Sequence, residues 1–212
     1  MLKTVFLKTL RDQRKSLLLW SIGLIALSLY ITLFYPTVRN MPELNKLLEQ
    51  MPKGLTALLG GQILDYTSPA GFFNLELFSM MLPIMFIAFA VGLGSGAIAG
   101  EEEKGTLDFL LANPILRWRL IIEKFGAMIT SIFVLAVIFL MGMMVGIAVV
   151  NIDISLLYLA EATLSTLMLG LVFGTLAFFL GALKGNRGRS IGVASAAAVV
   201  TADADADPDY RS

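Results

Sequence analysis

Long runs without charged residues dominate this sequence and are separated by shorter polar segments. The four longest runs cover residues 16–35, 77–99, 125–150 and 162–183, with 20, 23, 26 and 22 residues. Each is as long as the roughly 20 apolar residues that a helix needs to cross the hydrocarbon core of a bilayer. The pattern therefore predicts an all-α integral membrane protein, a polytopic helical bundle with four full spans.

A fifth uncharged run, residues 190–202, has only 13 residues. At 1.5 Å per residue, a helix of this length covers about two-thirds of a ~30 Å core and cannot cross it as a straight helix. The run leads into residues 201–212, where four aspartates alternate with other residues. Because aspartate enters hydrocarbon only at high cost, we expect a truncated fifth span followed by an acidic, low-complexity, disordered tail.

The first fifteen residues combine an apolar face with many cations. Leu2, Val5, Phe6 and Leu10 fall on one helical face, whereas five Lys and Arg residues lie mostly off it. This pattern is typical of a helix in the plane of the membrane interface, with its cations near the lipid headgroups. We predict such an N-terminal interfacial helix; a solvated basic tail is the alternative.

The segment between the first two spans, residues 36–76, contains a second amphipathic pattern. Leu44, Leu47, Leu48 and Met51 recur at helical spacing between two prolines. Proline is tolerated at the start of a helix and stops one that has begun. We therefore predict a short amphipathic helix here, on the outer face of the membrane.

Glycines four residues apart mark three of the predicted spans. Small residues at this spacing let helix backbones approach closely, which matters in lipid because the hydrophobic effect does not drive helices together there. Pro83, in the second span, lacks the N–H for one helical hydrogen bond and predicts a kink. The predicted helix-packing positions are Gly92, Gly96 and Gly100 in the second span, Gly142 and Gly146 in the third, and Gly170 and Gly174 in the fourth.

The distribution of charge predicts the orientation. The net charge is zero, but twelve of the sixteen Lys and Arg residues fall on one side of the four spans. Cytoplasmic loops carry the excess of Lys and Arg, so the N-terminus is predicted to be cytoplasmic. We expect a multi-pass protein of the cell (plasma) membrane, with the lipid bilayer as a partner.

Several chemistries are excluded by composition. Cysteine and histidine are both absent, which removes thiolate nucleophiles, Ser-His hydrolysis and HExxH zinc sites. No G-x-x-x-x-G-K-[ST] motif occurs, so the chain has no P-loop for ATP. No clustered basic face with aromatics suits nucleic acid. We predict no catalytic residue, no metal site and no directly bound cofactor.

The segment between the second and third spans, residues 100–125, is short and densely charged. It reads GEEEKGTLDFLLANPILRWRLIIEKF, with five acidic and four basic residues. Thr106 is a candidate N-cap for a short helix with an apolar stripe, and Asn113 followed by Pro114 suits the start of a second helix. The segment is therefore predicted to form a compact pair of helices at the cytoplasmic surface. The simpler interpretation is that these charges only keep the loop in water.

The order of residues in this segment resembles the first cytoplasmic loop of type-2 ATP-binding cassette (ABC) permeases. Those loops read acidic-x-G-T-L-acidic-x-L-L-x-x-P, with a basic residue a few positions on, and residues 100–114 followed by Arg117, Arg119 and Lys124 are similar. The resemblance extends over about residues 1–200. It implies a type-2 ABC permease transmembrane domain over 1–200. Because that family typically has six spans, the domain is expected to be incomplete at its C-terminus through truncation or a change of reading frame; an authentic acidic end is the alternative.

The resemblance implies transport, most simply export, driven by a separate ABC ATPase subunit that carries ATP and Mg. In the family this loop forms a coupling helix that docks on the ATPase, and the permease works with a second permease copy or paralogue. By that likeness the ATPase-docking residues are Glu101, Glu102, Glu103, Lys104, Gly105, Thr106, Leu107, Asp108, Leu110, Leu111 and Pro114, flanked by Arg117 and Arg119.

Two other functions are compatible with parts of the sequence. An intramembrane protease with paired glutamates would fit Glu101 and Glu102, but such enzymes need histidines that this chain lacks. A membrane accessory or scaffold protein without transport activity, or an inactive truncated permease, remains the alternative. Association with an ATPase distinguishes the permease from the scaffold.

Overall fold

The computed structural model describes residues 5–40, 67–97, 117–184 and 195–196. These residues form helices and turns and no strand, which confirms the all-α prediction for this part of the chain. The helices are α1 (Val5–Arg39), α2 (Pro69–Phe73), α3 (Met81–Ala97), α4 (Arg117–Val150) and α5 (Leu156–Lys184). The predicted outer helix, the first helix of the predicted cytoplasmic pair, the acidic tail and all but two residues of the fifth run lie outside the described residues. The second helix of that pair is described only from Arg117, where it forms the first turns of α4 and is not separate from the third span.

Four stretches of helix are long and apolar enough to cross a membrane. They are Val5–Arg39, Pro69–Ala97, Trp118–Val150 and Leu156–Ala182. Each contains most of one of the four uncharged runs, so the prediction of four spans is confirmed. Every one of them begins before the uncharged run that it contains, because charged and polar residues continue the helix outside the apolar segment.

The N-terminal segment differs from the prediction of a separate interfacial helix. Residues 5–15 are the first turns of α1 and continue into the apolar run without a break. No glycine or proline precedes Gly23, so nothing in the sequence interrupts the helix there. The 35 residues of α1 measure about 52 Å, which exceeds a ~30 Å hydrocarbon core by several turns.

The second span is interrupted near its start. A π-helical turn, Asn74–Phe78, follows α2, and Ser79 donates both its N–H and its hydroxyl to the carbonyl oxygen of Asn74, at 2.8 and 2.7 Å. Pro83 is the third residue of α3 and has no N–H to offer the carbonyl of Ser79. The irregularity therefore falls immediately before the proline, and α3 starts afresh at Met81.

The four long helices pack as two parallel pairs. α1 lies along α4, and α3 lies along α5, whereas contacts between the pairs are less extensive. The matched positions are Phe6 with Glu123, Gln13 with Ser131 and Ser28 with Gly142 in the first pair, and Phe86 with Gly170 and Ala90 with Gly174 in the second. Residue numbers rise together in each pair, so the two helices of a pair run in the same direction.

A tight turn joins α4 to α5. Asn151 has a positive φ of 53°, and the N–H of Ile152 donates to the carbonyl oxygen of Ile147 at 3.2 Å. This is the hydrogen bond of a helix C-terminus closed by a left-handed residue, a position that asparagine tolerates. The two helices therefore run antiparallel, as the short polar segment at residues 151–153 predicts, although each packs mainly on a different helix.

The bundle has a buried apolar core and also exposes many large apolar side chains. Phe72, Phe86 and Phe139 are fully buried, whereas Leu19 is 71% exposed and Val149 is 64% exposed. A soluble protein of this size rarely exposes so many large apolar residues, but a membrane-spanning bundle presents them to lipid. The pattern agrees with a multi-pass membrane protein.

The antiparallel order of spans gives the bundle two distinct ends. The start of α1, the end of α3, the start of α4 and the end of α5 lie together, and residues 98–116 connect two of them; we call this the loop-bearing end. The opposite end contains the α4–α5 turn and is called the turn end. There the hydroxyl of Tyr35 donates to the carbonyl of Thr67 at 2.9 Å, and that of Tyr158 donates to the carbonyl of Ala70 at 3.3 Å.

Candidate functional site at the loop-bearing end

The loop-bearing end holds the connection in which the sequence places the docking residues. The docking residues from Glu101 to Pro114 lie outside the described residues, as does Gly100, a predicted helix-packing position. Arg117 is the first residue of α4, and Arg119 is exposed on its first turn. The structure therefore describes the two helix ends to which the docking segment is attached, at Ala97 and Arg117.

Glu123 joins α4 to the start of α1. Its Oε1 accepts a hydrogen bond from Nε of Arg119 at 2.8 Å, and its Oε2 accepts one from the backbone N–H of Phe6 at 3.1 Å. The Glu123 side chain is 17% exposed, and that of Arg119 is 59% exposed. A carboxylate near a helix N-terminus is stabilised by the helix dipole, by about 0.3–1 kcal/mol at an exposed site. The carboxylate of Glu123 thus holds the first turn of α1 against α4.

Lys124, the next residue, joins α4 to the end of α3. The residue is only 3% exposed, and Nζ donates a hydrogen bond to the backbone carbonyl oxygen of Ala97, the last residue of α3. Lysine is almost never buried without a partner, and a cation at a helix C-terminus complements the negative end of the dipole. The ammonium group therefore ties together the two helices that flank residues 98–116.

A third polar contact lies about two turns further into the bundle. The hydroxyl of Ser131 is 2.8 Å from Oε1 of Gln13 on α1 and 2.9 Å from the carbonyl oxygen of Ala127 on its own helix. Between these contacts the ring of Phe6 lies against Gly126, where an added Cβ would be 3.8 Å away. α1 and α4 are thus joined continuously from their first turns inwards.

Towards the turn end, two glycines of α4 receive hydroxyl-bearing side chains of α1. A Cβ added at Gly142 would be 2.6 Å from Oγ of Ser28, and one added at Gly146 would collide with Oγ1 of Thr32. Both hydroxyls donate to carbonyls of their own helix, at 2.9 Å from Ser28 to Ile25 and 2.8 Å from Thr32 to Ser28. The absence of a side chain at these two glycines lets α1 approach the backbone of α4.

The α3–α5 pair uses glycines differently. A Cβ added at Gly170 would be 3.3 Å from Cβ of Phe86, and one added at Gly174 would be 3.0 Å from Cβ of Ala90. On α3, a Cβ added at Gly94 would collide with the backbone carbonyl oxygen of Gly174. The close approach in this pair is therefore backbone to backbone.

Gly92, one of the glycines predicted on α3, does not lie at the close contact with α5. An added Cβ at Gly92 would meet nothing within 4 Å, and Gly96 is half-buried. Gly94 comes two residues after Gly92, about 200° around the helix. The contact face of α3 carries Gly94, a position that the four-residue spacing does not include.

Sequence reasoning also missed what Glu123 and Lys124 contact. Glu123 was counted only as a charge, and Lys124 as a charge and as part of the family resemblance, yet their side chains reach two different helices. The available signal was an adjacent acid and base directly before the uncharged run 125–150. In the part of the chain that the structure describes, no three acidic residues cluster closely enough to hold a metal ion. The polar contacts of Glu123 and Lys124 at this end join helix termini.

A family model described as "ABC-2 family transporter protein" matches residues 3–202. This range includes all four apolar helices and residues 98–116. No curated protein and no solved structure matches the chain.

Proposed function

Because the chain belongs to the ABC-2 family of transporter proteins and is a permease of that type, we propose that it is the membrane subunit of an exporter driven by a separate ATPase. Permeases of this family are membrane transport components, are not themselves catalytic, and generally work with an ABC ATPase partner. In this proposal the partner carries ATP and Mg, and two permeases, either two copies or a copy and a paralogue, form the membrane pathway.

The family match is the observation that carries this proposal. The sequence indicates which roles belong to the permease and which belong to the ATPase. The chain has no P-loop, so nucleotide would be bound by the partner. The coupling loop would be residues 100–124, and the residues that dock on the ATPase would lie between Glu101 and Arg119, with Leu110 and Leu111 on the apolar stripe. Since this segment connects α3 to α4, a movement of the ATPase would reach both helices directly.

The charge pattern supports one orientation for this assembly. Twelve of the sixteen Lys and Arg residues belong to the loop-bearing side by the order of the spans. The positive-inside rule puts that side in the cytoplasm, where ATP is available. The N-terminus and the docking segment would then face the cytoplasm of a cell membrane.

The test is a double substitution in the docking segment of the full chain. Leu110→Asp with Leu111→Asp removes the apolar stripe, so an ABC ATPase expressed together with the permease should no longer co-purify with it. Membrane insertion should be unchanged, because both residues lie outside the uncharged runs. Co-purified ATPase is measured by quantitative blotting, and ATP hydrolysis is measured in proteoliposomes.

The matched control is Leu47→Asp with Leu48→Asp, in the predicted helix on the opposite side of the membrane. This control should retain the ATPase. Retention of the ATPase by the Leu110 and Leu111 variant would contradict the docking role. If no ATPase associates with the unaltered chain either, the scaffold function is favoured.

A further inference from the structure

The loop-bearing end contains a junction in which two adjacent residues of opposite charge hold two different helices. We propose that Glu123 and Lys124 act as positioning residues that make α1, α3 and α4 move together, so that a displacement of residues 98–116 reaches both helix pairs. The proposed role in coupling rests on the proposed function. The existence of the junction as a mechanical link does not depend on that proposed function.

The two side chains reach opposite kinds of helix terminus. Glu123 accepts the backbone N–H of Phe6 at the start of α1, and Lys124 donates to the carbonyl of Ala97 at the end of α3. Each charge has the sign that complements the dipole of the terminus it contacts. Consecutive residues of a helix point about 100° apart, which lets neighbours on α4 serve two different helices.

The Lys124 bond crosses between the two helix pairs. α1 and α4 form one pair and α3 and α5 the other, and contacts between the pairs are less extensive than those within them. At the turn end the bond from Tyr35 to Thr67 also joins the pairs. Lys124 does so at the loop-bearing end, where the docking segment is attached.

The geometry has a mechanical consequence. Residues 98–116 enter the bundle at the end of α3 and leave it at the start of α4, and Lys124 lies about 10 Å along α4 from Arg117. While Lys124 holds Ala97, the end of α3 cannot separate from α4, so both pairs must follow the segment. Without that bond, the pairs remain linked at this end by the segment itself and by the ring contact of Phe125 on α4 with Phe178 on α5, whose centroids are 5.4 Å apart, so the two pairs can follow the segment to different extents.

Burial indicates that this bond is a permanent part of the fold. Lys124 is only 3% exposed. A charged group withdrawn from water to this extent requires sustained hydrogen bonding. We therefore expect the junction to stay intact while the two pairs move. When the junction is lost, residues 98–116 should be able to move without moving the whole bundle.

The experiment uses pairs of spin labels in the full chain, which contains no native cysteine. Ile122→Cys on α4 with Ala182→Cys on α5 reports the separation between the pairs at the loop-bearing end. Lys8→Cys with Ile122→Cys reports the separation of α1 from α4. All three positions are exposed. Distances are measured by pulsed electron resonance on the chain in lipid nanodiscs.

Two substitutions break one half of the junction each. Lys124→Met keeps the length of the side chain and removes the donor, so the distance distribution from Ile122 to Ala182 should broaden while that from Lys8 to Ile122 stays narrow. Glu123→Leu removes both acceptor oxygens, so the opposite pattern is expected. Lys124→Arg retains a donor and should restore the narrow distribution.

A label pair at the turn end, Val149→Cys with Leu157→Cys, provides the control and should not change in any variant. An unchanged distribution from Ile122 to Ala182 in Lys124→Met would overturn the proposal. So would broadening of all three label pairs, because the effect would then be a general loss of structure. Equal broadening in Lys124→Arg and Lys124→Met would exclude the donor as the cause.

The role in coupling has its own readout in the complex with the ATPase. Lys124→Met should retain the ATPase, because the docking segment is intact. A nucleotide-driven change of the distance from Ile122 to Ala182 should follow ATP binding in the unaltered chain. In the Lys124→Met variant, the fraction of complexes that show this change of distance should fall by about fivefold or more, which is a typical size for allosteric coupling. Full retention of that response would contradict the coupling role and leave the docking proposal intact.

Discussion

The two helix pairs of the bundle achieve close packing by different means. Along α1 and α4, glycines of one helix face the hydroxyls of Ser28 and Thr32, and polar side chains join the helices nearer the loop-bearing end. Along α3 and α5, Gly94 and Gly174 bring one backbone against the other among apolar side chains. Lipid is as apolar as the helix surfaces, so association depends on packing and hydrogen bonds. The α1–α4 pair uses both packing and hydrogen bonds, and the α3–α5 pair depends on packing.

The two kinds of contact differ in how each helix pair can accommodate an added side chain. A side chain that crowds a hydroxyl can be relieved by rotating the hydroxyl or removing it. A side chain that crowds a backbone carbonyl can be relieved only by moving a whole helix. The α3–α5 pair should therefore be the less tolerant of added volume.

The largest effect is expected from Gly94→Ala. The new methyl group would collide with the carbonyl oxygen of Gly174, so α3 and α5 would have to separate. Overpacking of a tight interface destabilises by about 1–3 kcal/mol. The measurement is the midpoint of thermal unfolding in detergent, followed by size-exclusion chromatography.

Gly92→Ala is the matched control, two residues away on the same helix. Nothing lies within 4 Å of the added methyl group there, so its midpoint should equal or exceed that of the unaltered chain. Equal midpoints for Gly94→Ala and Gly92→Ala would contradict the backbone contact between α3 and α5.

The contrast between Gly92 and Gly94 also shows what the sequence could and could not predict. The uncharged runs predicted four spans correctly, because their length and lack of charge are local properties. A repeat of glycines indicates a face on which another helix can pack, but not which helix does so. Three glycines alternate at positions 92, 94 and 96, so two opposite faces of α3 were available, and only the position of α5 distinguishes them.

Helix ends and partners were the least predictable features. The first turns of α1 carry charges that suggested a separate helix, yet the backbone continues because no residue breaks it. The interruption at Asn74–Phe78 ends at the residue before Ser79, whose carbonyl is the one that Pro83 cannot hydrogen-bond. The roles of Glu123 and Lys124 depend on helices distant in sequence. The docking residues from Glu101 to Pro114 stay a prediction.

A smaller effect is expected at Gly142, and it tests whether the α1–α4 contact is relieved by removing one hydroxyl. The methyl group of Gly142→Ala would be 2.6 Å from Oγ of Ser28, while the next nearest atom, Cα of Ile25, is 3.5 Å away. We expect a loss of about 1 kcal/mol from Gly142→Ala, because a flexible side chain can partly move aside.

The double variant Gly142→Ala with Ser28→Ala should recover most of that loss. Contacting residues typically show interaction energies of about 0.5–3 kcal/mol in such a cycle. The four unfolding midpoints give the interaction energy. Additive effects of the two substitutions would show that Ser28 does not limit the approach of the helices, and the contrast between the pairs would then lose its basis.

The smallest effect concerns the hydrogen bonds of α1 and α4. Ser131→Ala removes the hydroxyl that joins α4 to Gln13, and hydrogen bonds between membrane helices contribute about 0.6 kcal/mol on average. Ser21→Ala is the matched control, because the hydroxyl of Ser21 is buried and has no hydrogen-bond partner in the part of the chain that the structure describes. Ser131→Ala should lower the unfolding midpoint, and Ser21→Ala should leave it unchanged or raise it, since a buried hydroxyl without a partner is unfavourable. The opposite order of the two midpoints would mean that hydroxyl burial, and not the bond between Ser131 and Gln13, determines the stability of this pair.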